Sequence, residues 1–253
     1  MNSSTLKIIS LFLFMIVAIS LTTFGLLKNF GSGGASTSQI EKVVADYIKE
    51  HPEEILKSVS DYQQKSQADS DAAAQKTVSE KTSELENDKS SPIAGNPKGD
   101  VTIVQFFDYS CGYCKRVMPE ISSLIEEDKN LKVVFKEFPI LGPNSLLASH
   151  ASLAVNMVAP EKYFEFHKAL TKATVSGKDS VLKIASDLGI DKDKVSAKMD
   201  SDEVKKEIEK NAELARSIGV RGTPAFVIGG TFVPGAIGKD DFKKLIAESR
   251  SKK

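Results

Sequence analysis

Apolar residues follow different rhythms along this chain. The first is an almost unbroken run, "IISLFLFMIVAI" from Ile8 to Ile19, preceded by one positive charge at Lys7. It suits the apolar centre of an export signal. Apolar character resumes through Leu27, and the combined stretch is long enough to span a bilayer. Small-residue cleavage points at Gly25 and Ala35 compete with retention as an uncleaved anchor. Either way the bulk of the chain leaves the cytoplasm. Residues 1–35 are therefore expected as a signal peptide or membrane anchor, with Gly31–Gly34 as a flexible spacer.

The second rhythm is helical. Ile40, Val43, Val44, Tyr47 and Ile48 share one face at the 3,4 spacing. Pro52 restarts the pattern at a first helical position, with Glu53 and Glu54 at the positive end. Ile55, Leu56, Val59 and Tyr62 extend the stripe, and Ile48, Ile55 and Tyr62 lie seven apart. So narrow a stripe must bury against its own domain or a copy of itself. Gln67–Ser91, polar with almost no apolar face, reads as a solvated helix or flexible tether and favours self-association by separating the stripe from the domain. Residues 36–91 are expected as a helical oligomerisation arm and tether.

From Pro92 the period changes again. "DVTIVQFFDY" is rich in β-branched and aromatic residues and reads as a buried strand. A helix follows through "VMPEISSLIEED", and Leu131–Phe138 is a second strand, which makes a βαβ unit. Residues 143–218 are helical throughout. Ala225–Ile228 and Thr231–Val233 flank Gly229-Gly230 as a hairpin, and "KDDFKKLIAES" closes the chain as a helix. The expected fold class is α/β over residues 92–253, with a helical block set into it.

Composition narrows the function. Hydrophobic residues make up 41% of the 253 positions, enough for a packed core. Lys+Arg and Asp+Glu both number 34, so no basic excess argues for nucleic acid.

Both cysteines fall within "DYSCGYCKRVMP", as Cys111 and Cys114. Structural zinc wants four ligands, and no second pair exists; His51, His150 and His167 show no ligand spacing. Two thiolates could accept copper(I). A bridge over two residues closes too small a loop to stabilise the fold. The redox reading explains the placement. Cys111 sits where strand becomes helix, beside unpaired N–H groups and the positive dipole end, which favour a thiolate. Cys114 lies one turn in on the same face. Cys111 is expected as the exposed nucleophile and Cys114 as the more buried resolving thiol. Gly112 and Tyr113, between them, are the modulating pair. No cofactor or metal is expected.

From about Gly95 onward the chain resembles the bacterial Dsb-type thioredoxin-fold disulfide oxidoreductases, DsbA-like with a helical insertion. "GNPKGDVTIVQFFDYSCGYCKRVMP" is similar to the entry to that family's active site, and Pro119 to the proline that kinks its helix. "RGTPAF" is similar to its cis-proline segment. The resemblance gives Pro224, with Thr223 before it, the role of lying against the sulfurs and binding the substrate peptide. It also implies a thioredoxin fold preceded by a helical arm, exported protein substrates, a membrane redox partner that resets the pair, and a periplasmic location. The Gly-Tyr dipeptide and Thr223 resemble the DsbC-like isomerases more than the oxidases. "QIEKVVADYIKEHPEEILKSV" resembles the oligomerising arm of the ScsC-like branch, trimeric in some members. One departure stands out: oxidase-type members carry a glutamate where Gln105 stands, so its proton-moving role is missing or falls to Asp108, Lys136 or Glu137, unless these are plain surface or strand-edge charges. The expected activity is that of an exported disulfide isomerase or reductase. A dithiol oxidase and a non-catalytic peptide- or metal-binding module remain the alternatives.

Overall fold

The computed structural model describes residues 36–252. The apolar N-terminal run and its two processing alternatives lie outside the described residues. The chain divides into two compact units, one ending at Gln64 and one beginning at Lys65.

In the first unit α1 (Thr37–Glu50) opens with a capping box: the Ser36 side chain accepts the Gln39 N–H, and the Gln39 side chain accepts the Ser36 N–H. His51 interrupts, and Pro52 starts α2 (Pro52–Glu80), which runs on into the second unit. Tyr47 donates to Glu54 at 2.7 Å, joining the end of one helix to the start of the next. Every residue of the apolar stripe, from Ile40 to Tyr62, is exposed. Among the described residues no helix is long and apolar enough to cross a membrane.

The second unit is built on five strands: β1 (Ile93–Gly95), β2 (Val101–Phe107), β3 (Leu131–Glu137), β4 (Ala225–Ile228) and β5 (Thr231–Pro234), in the order β1-β3-β2-β4-β5. β2 and β3 are parallel, from Val101 opposite Leu131 to Phe107 opposite Glu137; the other pairs are antiparallel. The helices are α3 (Thr82–Glu86), α4 (Gly112–Glu127), α5 (Pro143–Val158), α6 (Tyr163–Lys172), α7 (Lys178–Asp187), α8 (Lys192–Met199), α9 (Asp202–Ser217) and α10 (Lys239–Ser251). α4 makes the β2-to-β3 crossover, and α5 to α9 form the helical insertion.

All residues of β2 and β3 are buried because both sheet faces are covered. Ile103, Phe107, Val133 and Phe135 pack with Val117 and Ile121 of α4, Phe242 of α10 and Tyr163 and Phe166 of α6. The alternate residues Val104, Phe106 and Val134 pack with Val78, Leu85, Leu214 and Ala215.

Two features differ from the sequence expectation. The segment read as a solvated helix or flexible tether is largely helical, but part of it lies in the core: Ala74, Val78 and Leu85 are buried. A stripe of three apolar residues, one of them alanine, is too thin to show as a periodic face, yet it seals the back of the sheet. β1 was not anticipated; three residues are too few for alternation to show, and their pairing with β3 comes from tertiary contact.

Candidate active site

The thiol pair is placed by the end of β2. Phe107 leads into Asp108, a buried carboxylate that accepts the N–H groups of Ser110 (2.7 Å), Ile140 (2.8 Å) and Leu141 (3.0 Å). Asp108 thereby pins the loop after β2 to the loop after β3. Cys111 follows as the N-cap of α4. Its Sγ accepts the Cys114 N–H at 3.4 Å and its thiol donates to the Thr223 carbonyl at 3.1 Å. Gly112 and Tyr113 are exposed between the two cysteines. Pro119 lies within α4.

The Thr223–Pro224 peptide bond is cis. Ala225, next along, pairs with Phe106, and this register holds the Thr223–Pro224 loop over the start of α4. The structure thus brings together Cys111, Cys114, Thr223 and Pro224, far apart in sequence.

Cys111 is less open than expected: it is 5% exposed, against 3% for Cys114, because Thr223 lies across it. Environment separates the two sulfurs more clearly than exposure. Cys111 has a backbone donor aimed at it. Burial, above all, pushes the Cys114 thiol well above its ordinary range. In the reduced chain at neutral pH, iodoacetamide is therefore expected to label Cys111 at least about tenfold faster than Cys114, since only the thiolate reacts. Peptide mapping of partly labelled protein measures the ratio; equal labelling would contradict it.

The neighbouring cations are both engaged. Lys115 donates to the Ala173 carbonyl at the end of α6 (3.2 Å), and the Arg116 guanidinium stacks 4.4 Å over the Tyr113 ring.

The three groups weighed as substitutes for the missing glutamate are all buried rather than surface charges. They do different things. Lys136 lies on the other sheet face, bonded to Asp88 (2.8 Å) and Ser91 (2.6 Å). Burial works against the Asp88 charge, but bonds from Lys136 and Lys210 hold its carboxyl well below the usual range. Asp108 is the loop clamp. Glu137 lies on the same sheet face as Phe107 and Phe135, where Ser149 donates to its Oε2 at 2.7 Å and Oε1 has no partner among the described residues. Burial pushes its carboxyl up to about 8. Gln105 is buried on that face too, its Oε1 also without a partner among the described residues.

Sequence reasoning missed the polar cluster around Glu137. Tyr109 Oη lies 2.7 Å from both Ser152 Oγ and His167 Nδ1. His167, which showed no ligand spacing in the sequence, is pushed down to about 3 by burial. The cluster ties the loop before Cys111 to α5 and α6. Its members are scattered over 59 residues with no fixed spacing to betray them. Among the described residues no group of three or more His, Cys, Asp or Glu side chains could hold a metal ion.

This geometry has relatives. A model of the DSBA-like thioredoxin domain matches residues 102–247. Disulfide bond formation protein D of Bacillus subtilis is 24% identical over 169 residues, which cover 62% of this chain and 76% of that protein. The crystal structure of a thioredoxin-like oxidoreductase from Silicibacter pomeroyi is similar at 38% identity and a TM-score of 0.63, covering 67% of this chain and 97% of that one. ScsC of Proteus mirabilis in a transitional conformation is similar at 29% identity and a TM-score of 0.65, covering 87% of this chain and 100% of that one.

Proposed function

The chain belongs to the DSBA-like thioredoxin-domain family of thiol–disulfide oxidoreductases, and from that premise we propose that it is an exported isomerase or reductase of protein disulfides. In this reading the Cys111 thiolate attacks one sulfur of a client disulfide. A mixed disulfide forms with Cys111, and the other client sulfur leaves as a thiolate. If that thiolate attacks a second client disulfide, and a client thiolate later displaces Cys111, the bonds are rearranged with no net change in electrons. If Cys114 attacks Cys111 instead, the client leaves reduced and the pair is left as a disulfide. A dithiol partner at the membrane then returns it to the reduced form. Cys114, held protonated by burial, gives up its proton only as the mixed disulfide is resolved. Thr223 and Pro224 bind the client backbone, and Gly112 and Tyr113 set the poise of the pair.

One observation carries the isomerase part: the exposed apolar stripe from Ile40 to Tyr62. A second copy of this chain fits it, with Ile48, Ile55 and Tyr62 at heptad spacing. The likeness to ScsC supports an arm of the same kind, since it covers more of this chain than residues 92–253 alone could supply. Several thiol pairs around a shared client let it stay bound while its disulfides are reshuffled. A dithiol oxidase is the second reading, favoured by the likeness to disulfide bond formation protein D of Bacillus subtilis.

The test compares residues 36–253 with residues 67–253 on a scrambled disulfide-bonded protein in mildly reducing buffer. The longer form is expected to be an oligomer in sedimentation and to recover the client. The shorter form, which keeps Ala74, Val78 and Leu85, is expected to be a monomer that exchanges disulfides but loses most of the recovery. A longer form that fails to recover the client yet oxidises reduced substrate rapidly would instead make this an oxidase.

A further inference from the structure

A groove of about 480 Å³ opens beside the thiol pair. One wall is the second-unit part of α2, with Gln67, Asp71 and Ala74; the other is the loop holding Arg221 and Thr223, with Phe232 of β5. The helical wall is fixed in place. The Gln75 side chain donates to the Gly230 carbonyl (2.5 Å) and accepts the Phe232 N–H (3.2 Å), while Val78 is sealed beneath the sheet.

The groove communicates with the chemistry, because Thr223, which lines it, holds the Cys111 thiol through its carbonyl. The N–H groups of Arg221, Gly222 and Thr223 make no hydrogen bond among the described residues. They are free to pair with an extended chain. The two walls also differ in charge. Asp71 accepts a hydrogen bond from Gln67 (2.7 Å) but meets no cation among the described residues. Arg221, on the facing loop, is exposed and in no ion pair among them.

We propose that α2 between Gln67 and Ala74 is the second wall of the client site, and that Asp71 and Arg221 select client segments by the order of charged residues on either side of the reacting cysteine. This rests on the reading above, that Cys111 forms a mixed disulfide with a polypeptide. Opposite charges on facing walls favour one order of a basic and an acidic side chain and oppose the reverse.

The test uses two nine-residue peptides of identical composition, one with Lys-Ala-Cys-Ala-Glu at its centre and one with Glu-Ala-Cys-Ala-Lys. Each cysteine is capped as a disulfide with 5-thio-2-nitrobenzoate. Cys111 attacks the peptide sulfur and releases the coloured thiolate; Cys114 then displaces the peptide thiol, and the pair becomes a disulfide by giving up the two electrons that reduce the peptide disulfide. Both peptides carry the same net charge, so long-range attraction is equal. The reduced full chain is expected to favour one order by about fivefold in the second-order rate constant for thiolate release at low salt, and the double variant Asp71→Lys, Arg221→Glu to invert the preference. A damaged fold would slow both peptides without inverting their ratio. Equal rates for the two orders would overturn the wall while leaving the oxidoreductase reading intact. Failure to react with either peptide would overturn both.

Discussion

Cys111→Ser is expected to abolish thiol–disulfide exchange, by on the order of a thousandfold or more, because the nucleophile of every step is removed. Cys114→Ser is expected to behave differently. It keeps the first attack but loses the thiol that displaces the client, so a mixed disulfide accumulates on Cys111. The asymmetry follows from position. Cys111 is the N-cap, with a backbone N–H aimed at its sulfur and the Thr223 carbonyl across it. Cys114 lies one turn inside, buried on the α4 face that packs on the sheet. Non-reducing electrophoresis of each variant with a disulfide-bonded client separates the outcomes. A Cys111→Ser chain that still trapped clients through Cys114 would reverse the assignment. A Cys111→Ser chain with full biological function would point to a non-catalytic module.

The site was legible in the sequence to the extent that it is local. Cys-x-x-Cys between a β-branched strand and an amphipathic helix places both sulfurs before any coordinate is known. The hairpin after Pro224 announces itself through Gly229-Gly230, whose positive φ angles suit a tight turn. What stayed hidden depends on distant partners. Lys136 and Glu137 are adjacent in β3 and therefore face opposite ways, one toward Asp88 and the other toward Ser149. No local pattern distinguishes such a pair from charges at a strand edge. The α2 wall was hidden for a different reason: it is held by Gln75 and a few apolar contacts, so its sequence reads as polar throughout. The arm was the converse case. Its stripe was plain in the sequence, and the residues that form it are all exposed.

Glu137 leads to the second large effect, a loss of stability as pH rises above neutrality. Its carboxyl is fully buried, and the groups that face it are Asp108 and Tyr109 from the loop before Cys111, Ser149 and Ser152 from α5, and Tyr163 from α6, beside His167; no cation pairs with it among the described residues. Burial raises it to about 8, from an ordinary value of 4.5. The folded chain therefore keeps a proton that the unfolded chain has released, and stability falls as pH rises from about 4.5 to about 8. His167 acts in the opposite sense: burial lowers it to about 3, so its contribution improves with pH until the unfolded imidazole has lost its proton, near 6.5. Below pH 6.5 the two trends offset each other. Between pH 6.5 and 8 the expected loss from Glu137 is about 2 kcal/mol. Glu137→Gln keeps the size and the Ser149 bond but cannot ionise. Urea unfolding of the reduced chain at pH 6.5 and 8.0 should show the midpoint falling in the parent and holding steady in the variant, with the variant the more stable at the higher pH. Parallel behaviour of the two chains would mean that the proton on Glu137 is not what the core requires.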